Sequence, residues 1–184
     1  MSEPTTTSYA ILALLSVQPF TTYELAKQME RSLRDVWPRA ESVVYEEPKR
    51  LVARGLAKAT VTHQGRRAST TYAITARGRR ALKAWLGTPG AGPVLEFEAL
   101  LKVAFADAAD LDALRTNLRA IDAYADDRVA YVKTRLAEYD DTGGPFPQRL
   151  HIIRLLARQQ LEQATALSRW AKWALGEVDG WESV

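Results

Sequence analysis

The chain contains no cysteine. That removes disulfides, thiolate nucleophiles and thiolate metal sites, and it fits a reducing compartment. Only two histidines occur, His63 and His151, and neither stands beside carboxylates or a second histidine at metal-ligand spacing. Surface or capping roles are expected for both, with no metal and no cofactor. Nor is there an unbroken apolar run of about 18 residues, so no segment reads as a membrane span. Residues 1–7 lack the basic and then apolar pattern of an export signal. A soluble, cytoplasmic chain without a membrane partner is the expectation. Glycine-rich phosphate loops, nucleophile elbows and paired histidines are missing as well. Asp126, Asp127, Asp140 and Asp141 read as solvated faces and turns, and no enzyme is expected.

What is present supports a folded chain: 47% of the 184 residues are apolar and 26% are charged. The net charge of +3 hides an asymmetry. Residues 1–92 hold 14 Lys and Arg against 7 Asp and Glu, whereas residues 93–184 hold 11 against 15. Such a division is expected where the first half meets a polyanion and the second does not. Between them runs Gly87-Thr88-Pro89-Gly90-Ala91-Gly92-Pro93, which cannot continue a helix. The expected organisation is therefore two domains, over 1–88 and 93–184, of which only the first is suited to a polyanion.

In the first half, Tyr9, Leu12, Ala13, Leu15 and Ser16 recur at helical spacing until Pro19 stops the segment. Thr21 or Thr22 caps a second helix with Leu25, Ala26 and Met29 inward, ending near Arg34. A third helix over 40–54 buries Val44, Leu51 and Val52 and ends at Gly55. Pro48 removes one of its backbone hydrogen bonds and is expected to kink it. The β-branched stretches 56–63 and 69–74 flank Gln64-Gly65-Arg66-Arg67-Ala68, which predicts a hairpin with a basic tip. Thr75 caps a fourth helix over 76–86, with Leu82, Trp85 and Leu86 inward.

Three helices, a hairpin and a further helix in that order form a winged helix-turn-helix within a mainly α chain. In such a domain the third helix enters the major groove of double-stranded DNA and the hairpin touches the backbone or minor groove. Lys49 and Arg50 on the third helix, with Arg66 and Arg67 on the wing, supply the cations this requires. The competing reading makes them solvated surface charges.

These elements carry residues that resemble those of the PadR-type transcriptional regulators. The matching positions are 8–15 (SYAILALL), Thr22-Tyr23-Glu24-Leu25, Trp37-Pro38, Ser42-Val43-Val44-Tyr45, Pro48-Lys49-Arg50-Leu51, Gly55-Leu56 and Tyr72-Ala73-Ile74-Thr75 with Gly78. Glu96 to Lys102 and Phe105-Ala106-Asp107 are similar to the opening of the longer C-terminal domain found in one branch of these regulators. The resemblance implies a homodimeric, usually repressing regulator that binds an inverted-repeat operator and often releases it on binding a small molecule. By position it places Ser42, Tyr45 and Lys49 on the helix face toward DNA. Tyr45 has a second reading, as an aromatic packed against the wing. Glu46 and Glu47 depart from that picture, because carboxylates repel phosphate unless they turn inward or sideways or accept from a cytosine amine.

Residues 95–106, 111–139 and 147–175 show apolar spacings of three and four. In the last, Leu150, Ile153, Leu156, Leu161, Leu167 and Trp170 trace a stripe longer than one small domain covers, so part of it is expected to meet a second copy. Packing within one chain is the alternative. Trp37, Trp170 and Trp173 are candidates to line a pocket for a small aromatic or apolar effector, against the commoner reading of aromatics as core. A rival for the whole chain is a winged helix that serves as a protein-interaction module without specific DNA binding.

Overall fold

The computed structural model describes residues 3–64 and 67–184, and the chain forms two compact units, one up to Gly92 and one from Pro93. The first unit contains α1 (Thr6–Val17), β1 (Phe20–Thr21), α2 (Thr22–Leu33), α3 (Glu41–Ala53), β2 (Ala57–Gln64), β3 (Arg67–Ile74) and α4 (Ala76–Leu86). The second contains α5 (Glu98–Ala104), α6 (Leu111–Thr142) and α7 (Leu150–Val178), with short 3-10 turns at Ala106–Ala108 and Pro147–Arg149.

Three helices of the first unit begin where a hydroxyl takes an orphan backbone N–H. Thr5 and Ser8 form a reciprocal capping box on α1, with Thr5 N–H donating to Ser8 Oγ at 2.9 Å. Thr21 caps α2, and Glu24 answers by accepting from the Thr21 N–H at 2.7 Å. That backbone hydrogen bond, with a second from the Thr21 hydroxyl, holds the Glu24 carboxyl below its ordinary range. Ile11, Leu12, Leu15, Leu25 and Leu51 then meet as a core with almost no exposure.

The sheet is antiparallel in the order β1-β3-β2. β1, too short to leave a periodic pattern, places Phe20 opposite Tyr72, both buried. β2 and β3 pair from Ala57 with Ile74 to Gln64 with Arg67. The hairpin ladder thus runs further than the β-branched stretches suggest, because His63 pairs with Ala68 and Gln64 with Arg67 inside the segment expected to be loop.

Two glycines close the third helix against the sheet. Gly55, at φ +69°, ends α3 with its N–H on the Val52 carbonyl and that of Leu56 on the Leu51 carbonyl, each at 2.9 Å. Thr75 caps α4 by accepting from the Gly78 N–H at 3.0 Å, while its own hydroxyl donates to the Gly55 carbonyl at 2.8 Å. This geometry seats Gly78 directly on the Leu56 carbonyl. A Cβ there would overlap that oxygen and stand 2.9 Å from Ile74 Cγ1.

Helix α3 runs from Glu41 to Ala53 with the buried Pro48 inside it. Its inward face is fastened by Glu47, which is 3% exposed. Ser8 Oγ donates to Glu47 Oε1, Arg54 Nη1 lies 3.4 Å from the same oxygen, and Arg50 Nη1 lies 3.5 Å from Oε2. The neighbouring loop is tied to α1 in the same way. Thr7 Oγ1 accepts from Trp37 Nε1 at 3.1 Å and from Arg39 Nε at 3.3 Å.

In the second unit α6 and α7 form an antiparallel pair, as the cross-helix partners require: Arg115 with Asp179, Asp122 and Asp126 with Ser168 and Lys172, and Asp140 with Arg154. Leu114, Leu118 and Ile121 pack on Ala171, Ala174 and Val178, and small residues on α7 let the helices approach. Gly143, at φ +74°, ends α6. Two expectations are corrected. Leu86, expected inward, is exposed because it is the last residue of α4, and Leu95, expected in α5, is exposed because that helix starts only at Glu98. No described helix is long and apolar enough to cross a membrane.

Two substitutions probe these joints. Gly78→Ala is expected to cost about 2–3 kcal/mol of stability in thermal or urea unfolding, because a methyl group must displace backbone. Glu47→Ala is expected to cost about 3 kcal/mol, since Ser8 and Arg54 lose a buried partner, with Glu47→Gln milder. Unchanged denaturation midpoints in both would remove the roles assigned here.

Candidate nucleic-acid interface

Locking Glu47 inward fixes which residues α3 turns out. Ser42, Tyr45 and Lys49, spaced by three and four, lie along its exposed side, and Arg50 stands beside them. Tyr45 is 37% exposed and Lys49 is 61% exposed at its side chain, so both reach solvent. Together they offer a hydroxyl, a phenol, an ammonium and a guanidinium on one helical surface, the donor set that phosphates and base edges accept.

Carboxylates of the same helix temper this charge. Glu46 Oε1 is 2.6 Å from Lys49 Nζ. The hydrogen bond between them, aided by their opposite charge, holds the Glu46 carboxyl below its ordinary range and raises the Lys49 ammonium above its own. The two glutamates thus divide: Glu47 turns inward as an anchor and Glu46 turns sideways onto Lys49.

On the wing, Arg66 lies outside the described residues, as does the side chain of Arg67. The strands place the β2–β3 connection between Gln64 and Arg67. Arg39, just before α3, was not singled out by sequence. Its guanidinium stacks on the Trp37 ring at 4.0 Å and its side chain bonds Thr7, so it holds a fixed cation near the start of the helix. A basic residue between Trp-Pro and the helix start is the only signal that could have found it.

The three tryptophans of the candidate pocket fall in different places. Trp37 lines a cavity of about 600 Å³ within the first unit, beside Met29, Lys27, Arg31, Arg34 and Arg39. Trp170 and Trp173 line a separate pocket of about 340 Å³ in the second unit. Among the described residues, no group of three or more His, Asp and Glu is arranged to hold a metal.

The stripe on α7 also divides. Leu150, Ile153, Leu156, Leu161, Leu167 and Trp170 are all half-buried, and the last two pack against the core of their own unit. Beside the first four, Ile152 and Leu155 are exposed.

Residues 11–84 match the model of the transcriptional regulator PadR-like family, and residues 97–179 match that of the virulence activator α C-terminal domain. No curated protein matches the sequence. Among solved structures, Bacillus subtilis PadR in complex with operator DNA superposes with a TM-score of 0.82 at 20% identity, over 95% of this chain and 99% of that one. The PadR-like transcriptional regulator BC1756 from Bacillus cereus gives 0.77 at 17% identity, over 94% and 97%. The Vibrio cholerae virulence activator AphA gives 0.70 at 26% identity, again over 94% and 97%. With both halves matched in order and the fold shared along nearly its whole length, the chain belongs to the PadR-like family of transcriptional regulators, in the branch with the longer helical C-terminal domain.

Proposed function

We propose that this regulator is a cytoplasmic repressor that binds an inverted-repeat operator as a homodimer and is released by a small aromatic or apolar effector. The observation that carries the DNA reading is the outward face of α3. Ser42, Tyr45, Lys49 and Arg50 stand together there because Glu47 fixes the opposite face. Arg66 and Arg67 on the wing supply phosphate contacts, and the excess of cations in residues 1–92 supports the same role. Bacillus subtilis PadR has been solved with operator DNA and also with p-coumaric acid, which agrees with a regulator that answers to a ligand.

The dimer rests on α7. Leu150, Ile153, Leu156 and Leu161, extended by Ile152 and Leu155, form an apolar strip that α6 leaves partly uncovered. A second copy that covers it would hold two recognition helices at a fixed separation, and successive major grooves repeat about every 34 Å. Trp170 and Trp173 in the second unit, and Trp37 in the first, are the aromatic walls available to an effector.

The test is a titration of the full chain against operator-bearing and unrelated duplexes at several salt concentrations. Specific binding should fall steeply with salt, and the double variant Arg66→Ala, Arg67→Ala should lower the slope of log K against log salt by about 2. Lys49→Ala should lower it by less than about 1, because that ammonium is already shared with Glu46. An equal slope in wild type and the double variant would refute the wing assignment. Absence of DNA binding at low salt would favour the interaction module instead.

A further inference from the structure

Within the second unit, the far ends of α6 and α7 enclose a pocket of about 340 Å³ whose lining carries only one sign of charge. Trp170, Trp173 and Trp181 contribute three indole rings, and Glu177 and Asp107 contribute two carboxylates. Leu118, fully buried, forms part of the floor. No lysine, arginine or histidine lines it. Arg115, a cation at this end of the helix pair, is engaged elsewhere: it lies 3.4 Å from Asp112, 3.7 Å from Asp179 and 3.3 Å from the Val178 carbonyl. Among the described residues, neither Glu177 nor Asp107 is paired with a cationic side chain.

Indole faces carry negative electrostatic potential and attract a cation held over them, while offering apolar area to its organic part. Adding two unanswered carboxylates reinforces the cation and repels an anion. Trp173 and Trp181 are 60% and 47% exposed, an arrangement that leaves large aromatic surface in water unless a guest covers it. From these features we infer that this pocket is a binding site for a small aromatic organic cation, such as a benzylic quaternary ammonium. The inference deepens the proposed effector response by naming its chemistry, but binding at the pocket stands apart from DNA binding. The volume suits a ligand of one ring and a trimethylammonium group, at the lower end of the range usual for small-molecule sites.

Calorimetric titration of the full chain in the absence of DNA tests this with three probes of similar size: benzyltrimethylammonium, benzyl alcohol and phenylacetate. Saturable binding of the ammonium is expected, at least about tenfold tighter than the alcohol, with no binding of phenylacetate. Glu177→Gln and Trp173→Ala should each weaken the ammonium by about fivefold or more. Both positions are exposed, so thermal unfolding and molecular mass should be unchanged. Equal affinity for all three probes, or preference for phenylacetate, would overturn the assignment. So would absence of binding, and a Trp173→Ala variant that changes oligomeric mass would give the face to a second copy instead. Because no DNA is present, each of these results is separate from failure of the operator titration.

Discussion

The outward chemistry of α3 depends on a buried carboxylate. Glu47 accepts from Ser8 and faces Arg54 and Arg50, so one side chain ties α3 to the first helix and to its own last turn. A charge removed from water is tolerated only when several donors answer it, and here a hydroxyl and two guanidinium groups do so. Ser8 in turn sits in the capping box that starts α1, so helix initiation and helix docking share one hydroxyl. The next residue upstream, Thr7, fixes Trp37 and Arg39 at the entrance to α3. The first turn of α1 is therefore the fixture on which the rotation of α3 is set.

The opposite end of α3 is set by backbone shape. Gly55 supplies the left-handed turn, Thr75 bridges that turn to α4, and Gly78 lets the two segments touch. The short Tyr-x-Ile-Thr-x-x-Gly stretch is thus a joint: Tyr72 and Ile74 fill the core, Thr75 caps and ties, and Gly78 makes room. Its chemistry concerns the docking of helix on sheet.

Much of this was legible in the sequence, for physical reasons that can be named. Thr21 with Glu24 three residues on, Gly55 after an apolar stripe, and Thr75 before a basic helix are local signals, and local geometry obeys them. The order of the helices and of the hairpin followed from these signals together with periodicity and β-branched composition. What stayed hidden was long-range. β1 has two residues and exists only because β3 lies beside it. The contact of Glu47 with Ser8 spans 39 positions, and no spacing rule connects them. Of the adjacent glutamates, the sequence showed only that both could not face phosphate, and the fold decided which was buried. The α7 stripe shows the same limit: its apolar spacing alone does not say that Leu167 and Trp170 pack against the core of their own unit.

The charge balance along α3 bears on how such a helix reads DNA. Lys49 is paired with Glu46, and Arg50 leans toward Glu47, so the helix offers a polyanion less attraction than its cations alone suggest. A phosphate that recruits Lys49 must take it from a carboxylate 2.6 Å away, and the gain is only the difference between two ion pairs. Non-specific attraction then falls mainly to the cations of residues 1–92 outside α3. Ser42 and Tyr45 carry no charge, and a hydroxyl or phenol gains little from a phosphate field but much from a well-placed acceptor on a base edge. On the proposed reading, self-neutralisation of α3 shifts its contribution from affinity toward discrimination, and the buried anchor on its inner face is what keeps those uncharged groups in register.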